Sequence, residues 1–206
     1  MATRFVQGGM AEMKRLVFLL EEPPMKEFLE SYIPRLVPGL DFLCIKHEGK
    51  QDLEKSIPRK LRVWQGVNFV VVRDNDGAEC RVVKRRLRRL CDQGEQPNTL
   101  IRIACQELES WYLGAAESLA MSYPMARLAN IGRTAKYRNP DDLGSPSREL
   151  SRLVPEFRKI DGARRMGESM PTDETTNRSR SFQTFVKGVR RVSLTEKVTT
   201  AGFSRK

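Results

Sequence analysis

Phe69-Val70-Val71-Val72-Arg73-Asp74-Asn75-Asp76-Gly77 decides the fold. Four apolar, mostly β-branched residues running into a polar turn form the pattern of a strand buried on both faces, as in a parallel sheet. Leu16-Val17-Phe18-Leu19-Leu20, which runs into Glu21, has the same form. The carboxyl ends of parallel strands share one edge, and open α/β sheets bind their ligands there. Glu21, Asp74 and Asp76 are therefore expected to converge on one site.

Outward from these two runs the chain alternates. Strands are expected at 42–45 and 100–104, and helices at 25–36, 78–90 and 107–113, with a weaker helix at 53–61 interrupted by Pro58. This alternation predicts an α/β fold with a mostly parallel four-stranded sheet flanked by helices, over residues 15–122. Residues 1–14 read as a flexible leader. Beyond about Tyr123 the strand signals stop, and residues 123–206 read as a basic helical appendage packed on the same domain. Its helices are expected near 148–157 and 182–192, with a mobile segment at 166–176.

The chain has 206 residues, of which 37 are basic and 26 acidic, giving a net charge of +11. Such an excess favours a polyanionic partner, nucleic acid first, although an anionic membrane surface or an acidic protein face would draw the same composition. Cys44, Cys80, Cys91 and Cys105 form no Cys-x-x-Cys pair, so neither a zinc site nor a secreted disulfide framework is indicated. No apolar run has the length of a membrane span, and a cytoplasmic protein without membrane association is expected.

Asp-Asn-Asp-Gly is also a good turn sequence, and Asp76 with Glu79 has the form of a helix cap. The coincidence of acids at three strand ends argues for more: Glu21, then Asp74 and Asp76, then Glu107 and Glu109 just after the fourth strand. Like charges on one edge repel unless a hard cation or protonation neutralises them, and Mg2+ or Mn2+ is the simplest neutraliser. Glu107 and Glu109, two apart at a helix start, point in different directions, so only one is expected to face the site. The lone histidine, His47, is more often structural than catalytic, whereas a metal-activated water needs no histidine base.

Arg81, Lys84, Arg85, Arg86, Arg88 and Arg89 follow the acidic turn on a helix whose buried face is expected to be Val82, Val83, Leu87 and Leu90. From Arg178 onward there are eight Lys or Arg against one acid, Glu196. A solvated surface explains such runs most often. Close to a phosphodiester site they would also hold a backbone without reading sequence, and Lys50, Arg81, Lys84, Arg85, Arg88, Arg178 and Arg180 are the expected contacts.

Leu20-Glu21-Glu22-Pro23 and Asp74-Asn75-Asp76-Gly77, with their separation, resemble the Toprim domain, the metal-binding α/β module of topoisomerases, primases and several nucleases. The closer resemblance is to a bacterial Toprim-like family of unknown function, often encoded beside an AAA-type ATPase in candidate phage-defence operons. It extends over Gly49-Lys50-x-Asp52-Leu53, Gln106-Glu107-Leu108-Glu109-Ser110-Trp111 and Ser179-Arg180-Ser181-Phe182-Gln183-x-Phe185, and so over residues 15–191. The resemblance implies metal-binding roles for Glu21, Asp74 and Asp76 and a further acid at Glu109. It also implies an ATPase partner. Glu22 stands where the Toprim pattern usually has glycine, which crowds the turn beside the first acid. The expected function is a Mg2+-dependent nuclease; the alternatives are a non-catalytic subunit of an ATPase complex and a nucleotide- or RNA-binding module.

Overall fold

A computed structural model describes residues 15–125 and 127–194, so the expected leader at 1–14 and the last twelve positions of the basic tail lie outside the described residues. Four strands, β1 (Leu16–Leu20), β2 (Phe42–Lys46), β3 (Asn68–Asp74) and β4 (Leu100–Ala104), form one parallel sheet in the order β2-β1-β3-β4. The expected α/β sheet is what the structure has. Its eight helices among the described residues are α1 (Pro23–Leu36), α2 (Lys50–Val63), α3 (Cys80–Gln93), α4 (Glu109–Leu113), α5 (Ala116–Ser122), α6 (Pro146–Leu153), α7 (Lys159–Ser169) and α8 (Arg180–Ser193).

The strand order explains the two layers. The β1-to-β2 crossover runs one way along the sheet and the β2-to-β3 crossover runs back past β1, so right-handed connections put α1 on one face and α2 on the other. Alternate residues of β1 divide accordingly: Leu16, Phe18 and Leu20 join a core with α1, α4, α7 and α8, while Val17 and Leu19 join a core with α2 and α3. The direction reverses between β1 and β3. A binding crevice therefore opens at the carboxyl ends of those two central strands.

Pro58 does not interrupt α2, which is continuous from Lys50 to Val63. A proline inside a helix costs about 3 kcal/mol, but Leu53, Ile57 and Leu61 are fully buried, and each contributes about 1.5–3 kcal/mol. Packing wins. On α3, Val83, Leu87 and Cys91 form the buried face, and Val82 is instead exposed.

The segment 166–176 is not the loose stretch its composition suggested. Met166 and Met170 are fully buried, and α7 packs along α1. Gly167 permits this approach, because a Cβ there would lie 2.6 Å from the Phe28 carbonyl oxygen. The core also crosses the change of texture at residue 123. Trp111 stacks on Phe185 at a centroid distance of 5.0 Å and meets Phe182 edge-on at 5.4 Å, and its indole N–H donates to Ser181 Oγ at 2.8 Å. Trp111, Phe182 and Phe185 are thus packing residues.

Candidate metal centre and basic surfaces

The three acidic strand ends lie side by side because β1 and β4 flank β3. Asp74 is the last residue of β3, in register with Ala104 at the end of β4, and Glu21 directly follows β1. Glu22 is extended, as the residue before a proline must be, and Pro23 and Pro24 open α1. Gly49 N–H donates to the Glu21 carbonyl at 3.0 Å. Buried His47 supports the same strand end: its backbone N–H and Nδ1–H donate to the Leu20 carbonyl, and Ser56 Oγ sits 2.6 Å from Nε2. The histidine is structural.

The turn after β3 is pinned to the turn after β4. Asn75 and Asp76 donate their backbone N–H groups to the carbonyls of Ala104 and Gln106, and buried Asn75 accepts from Gln106 N–H through its side chain. Asp76 and Gln106 both take left-handed backbone conformations, with φ of 49° and 65°. Asp76 does not cap α3; Glu79 holds that position without a side-chain cap. The middle residue of Asp-x-Asp thus carries the structural load. Pairing of two loops distant in sequence left no local signal for it.

A cleft at this edge is lined by Glu21, Glu22, Asp74, Asp76, Glu107 and Glu109, with Arg73 and Lys159. Asp74 is raised well above the usual carboxylate range, first by burial and then by the charges of Glu109 and Glu21. Burial also raises Glu21, against the lowering effect of Arg73, and it raises Glu109. One oxygen of Glu21 is buried without a hydrogen-bond partner. Of the acids after β4, Glu109 faces Asp74 from the first turn of α4, while Glu107 precedes the helix and accepts from Ser147 N–H at 2.6 Å, at the start of α6.

Asp76 stands apart from the other acids. It is partly exposed, and its Oδ2 lies 3.4 Å from Lys50 Nζ and 4.0 Å from Arg73. Arg73, with a side chain only 6% exposed, also lies 3.5 Å from Glu21 and 2.8 Å from Glu54, whose other oxygen pairs with Arg86. A buried guanidinium therefore stands between Glu21 and Asp76. Among the described residues no three acidic, cysteine or histidine side chains are placed to enclose one ion. The sequence reading missed Arg73, on β3, because its partner Glu54 comes from α2, and it missed Lys159 because nothing in its local pattern marks it.

The cationic helix divides by function. Arg88 donates to the carbonyls of Pro97 and Thr99 and so closes the turn before β4, and Arg86 is held by Glu54. Arg81, Lys84 and Arg85 are exposed, with no acidic partner found among the described residues. Arg178 and Arg180, at the start of α8, line a separate depression and not the acidic cleft. Cys80 and Cys105 approach to 3.4 Å between sulfurs, as free thiols beside the acidic turns. No helix among the described residues is long and apolar enough to cross a membrane.

The profile of the family described as "Domain of unknown function (DUF4276)" matches residues 20–190. No curated protein matches. Among solved structures the chain is similar to the C-terminal region of the Burkholderia pseudomallei OLD protein, at 16% identity and a TM-score of 0.47, covering 88% of this chain and 99% of that one. It is also similar to the C-terminal region of the Xanthomonas campestris pv. campestris OLD protein, at 14% identity and a TM-score of 0.48, covering 86% and 94%.

Proposed function

The chain belongs to the DUF4276 family, and we propose that it is a Toprim-like, metal-dependent enzyme that cleaves phosphodiester bonds in nucleic acid. One observation carries the proposal: Glu21, Asp74 and Glu109 line one cleft at the sheet's switch point, with carboxyls raised by burial and one buried Glu21 oxygen that has no hydrogen bond and only Arg73 beside it, at 3.5 Å. Arg73 offsets part of the charge at Glu21 but is not among the main groups that shift Asp74 or Glu109, and oxygen ligands of this kind suit a hard divalent cation. In donor type the residues fit Mg2+ or Mn2+, but as placed no three of them enclose one ion. Glu21, Asp74 and Glu109 would hold it only once their side chains turn toward one another, and the bound ion would supply a Lewis acid and an activated water.

The remaining residues have separate tasks. Asp76, facing Lys50 and Arg73, is available to a second cation or to a proton. Glu107 is the weakest candidate for metal contact, since the start of α6 already engages it. Lys50 and Lys159 place positive charge at the cleft, where a scissile phosphate would need it. The proposal extends to an AAA-type ATPase partner, on the strength of the sequence resemblance.

Arg73 favours a second reading. A built-in cation between Glu21 and Asp76 could let the acidic edge persist without metal, as a non-catalytic subunit docked on an ATPase would need. Cleavage separates the two. Incubated with single- and double-stranded DNA and RNA, the full chain and its ATPase partner should cut at least one substrate with Mg2+ or Mn2+ and none with EDTA. Intact substrates under every metal condition, with the ATPase present, would favour the non-catalytic subunit.

A further inference from the structure

We propose that the C-terminal half, with the start of α3, builds an arginine-lined groove that holds a nucleic-acid backbone, separate from the acidic cleft. It rests on the nucleic-acid part of the proposed function and not on cleavage.

Three adjoining depressions form the groove. The middle one, about 790 Å3, is lined by Arg133, Arg138, Arg178 and Arg180. It shares Gly132, Arg133 and Arg178 with a depression at the carboxyl end of α4, and Asn139 and Arg180 with another along the edge strand β4. That last depression adds Arg81 and Lys84 from α3. Six exposed cations thus follow the path, with no acidic partner found for any of them among the described residues. A seventh, Arg102, is partly buried and donates to the Thr184 and Ile101 carbonyls.

The acids along the path are engaged or lie at its end. Asp141 accepts from Ser179 Oγ, Ser181 N–H and Ser181 Oγ, which fixes the start of α8, and Asp142 is bonded by Asn139. Glu117 stands at the α5 end. Six exposed cations against three carboxylates leave the path positive, and charge complementarity favours a polyanion there.

The cations are held on a prepared frame. Arg178 donates its backbone N–H to the Gly114 carbonyl at 3.0 Å, and its neighbour Asn177 is fully enclosed, donating to the Trp111 carbonyl at 2.9 Å. The Arg178 guanidinium lies over Gly132, its carbon 3.1 Å from where a Cβ would sit, so a larger residue there would push it outward by a few tenths of an ångström. Glu109 opens α4, five residues long, and Gly114 caps its other end, so groove and acidic cleft are separated by one short helix of about 7.5 Å. No aromatic side chain lines the path, so it offers phosphate contacts without base stacking.

The test is fluorescence anisotropy of the full chain in EDTA, where cleavage plays no part, with labelled single-stranded DNA and RNA of mixed sequence. Binding of either should weaken with salt at a log–log slope of about −3 to −4, at about 0.7 per phosphate neutralised. The exposed pair Arg133→Glu and Arg138→Glu should lose at least about tenfold in affinity, while Lys55→Glu with Arg59→Glu, exposed on α2 and outside the groove, should change it less than about threefold. Circular dichroism of each variant verifies folding, and Arg133→Gln with Arg138→Gln repeats the test with a milder change. Equal losses from both pairs, no binding by the wild type, or equal affinity for polyglutamate would overturn the groove. Loss of cleavage with this binding intact would overturn only the enzymatic reading.

Discussion

Asp74→Asn should reduce metal-dependent cleavage by at least about a hundredfold, since residues that merely support metal ligands already cost 10- to 100-fold. The same change should stabilise the metal-free protein. Asp74 is buried beside Glu109 and Glu21, and the amide keeps its shape while removing one of three repelling groups. A gain of about 1–2 kcal/mol would raise the melting temperature by roughly 2–8 °C. The pH dependence follows from the same shifts. Glu21, Asp74 and Glu109 are raised in the folded state, so that state keeps its protons longer than the unfolded chain does. The contribution of these three groups to stability should therefore be greatest below their unfolded values, about pH 4, and fall as pH climbs through the raised folded ones. Asp74→Asn should flatten that fall. A variant that cuts normally, or melts lower than wild type at neutral pH, would remove Asp74 from the site.

Arg73→Met should be the most destabilising of the site changes, by about 3–5 kcal/mol, because it leaves buried carboxylates without their countercharge. Glu21 and Glu54 both face the guanidinium, at 3.5 and 2.8 Å. At this chain length the loss corresponds to a melting temperature lower by roughly 6–20 °C. Adding Glu54→Gln should recover part of it, with a coupling energy of about 1–3 kcal/mol in the double-mutant cycle, as expected for groups in direct contact. Denaturant melts of the four proteins measure this. Additive losses would mean that Arg73 and Glu54 do not compensate one another.

How much of this was legible in the sequence depended on range. Leu16–Leu20 is read to the residue, because a strand buried on both faces writes itself as an unbroken apolar run, and Leu100–Ala104 is read to the residue although Arg102 interrupts it on the sheet's edge. The acids at the strand ends follow from that reading, since a parallel sheet leaves no other edge for them. Helix α7 was lost to its glycines: Gly162 and Gly167 lower helix propensity, and their purpose lies in Phe157 and Phe28, elsewhere in the chain. Arg73 reads as a polar end to a strand until Glu54 is known to sit beside it. Arg133 and Arg138 lie in short 3-10 turns with no periodicity, and only the fold brings them to Arg178 and Arg180. The structure likewise shows that Glu107 and Arg88, read as site residues, have structural partners in Ser147, Pro97 and Thr99.

Titration calorimetry of the full chain with Mn2+, run near neutral pH in two buffers of different ionisation enthalpy, tests the central claim that the acidic cleft is a divalent-cation site. The account predicts saturable binding that releases protons, because the ion displaces them from carboxyls raised by burial, and it predicts loss of that binding in Asp74→Asn. Absence of Mn2+ binding by the wild type, or binding that Asp74→Asn leaves unchanged, would contradict it.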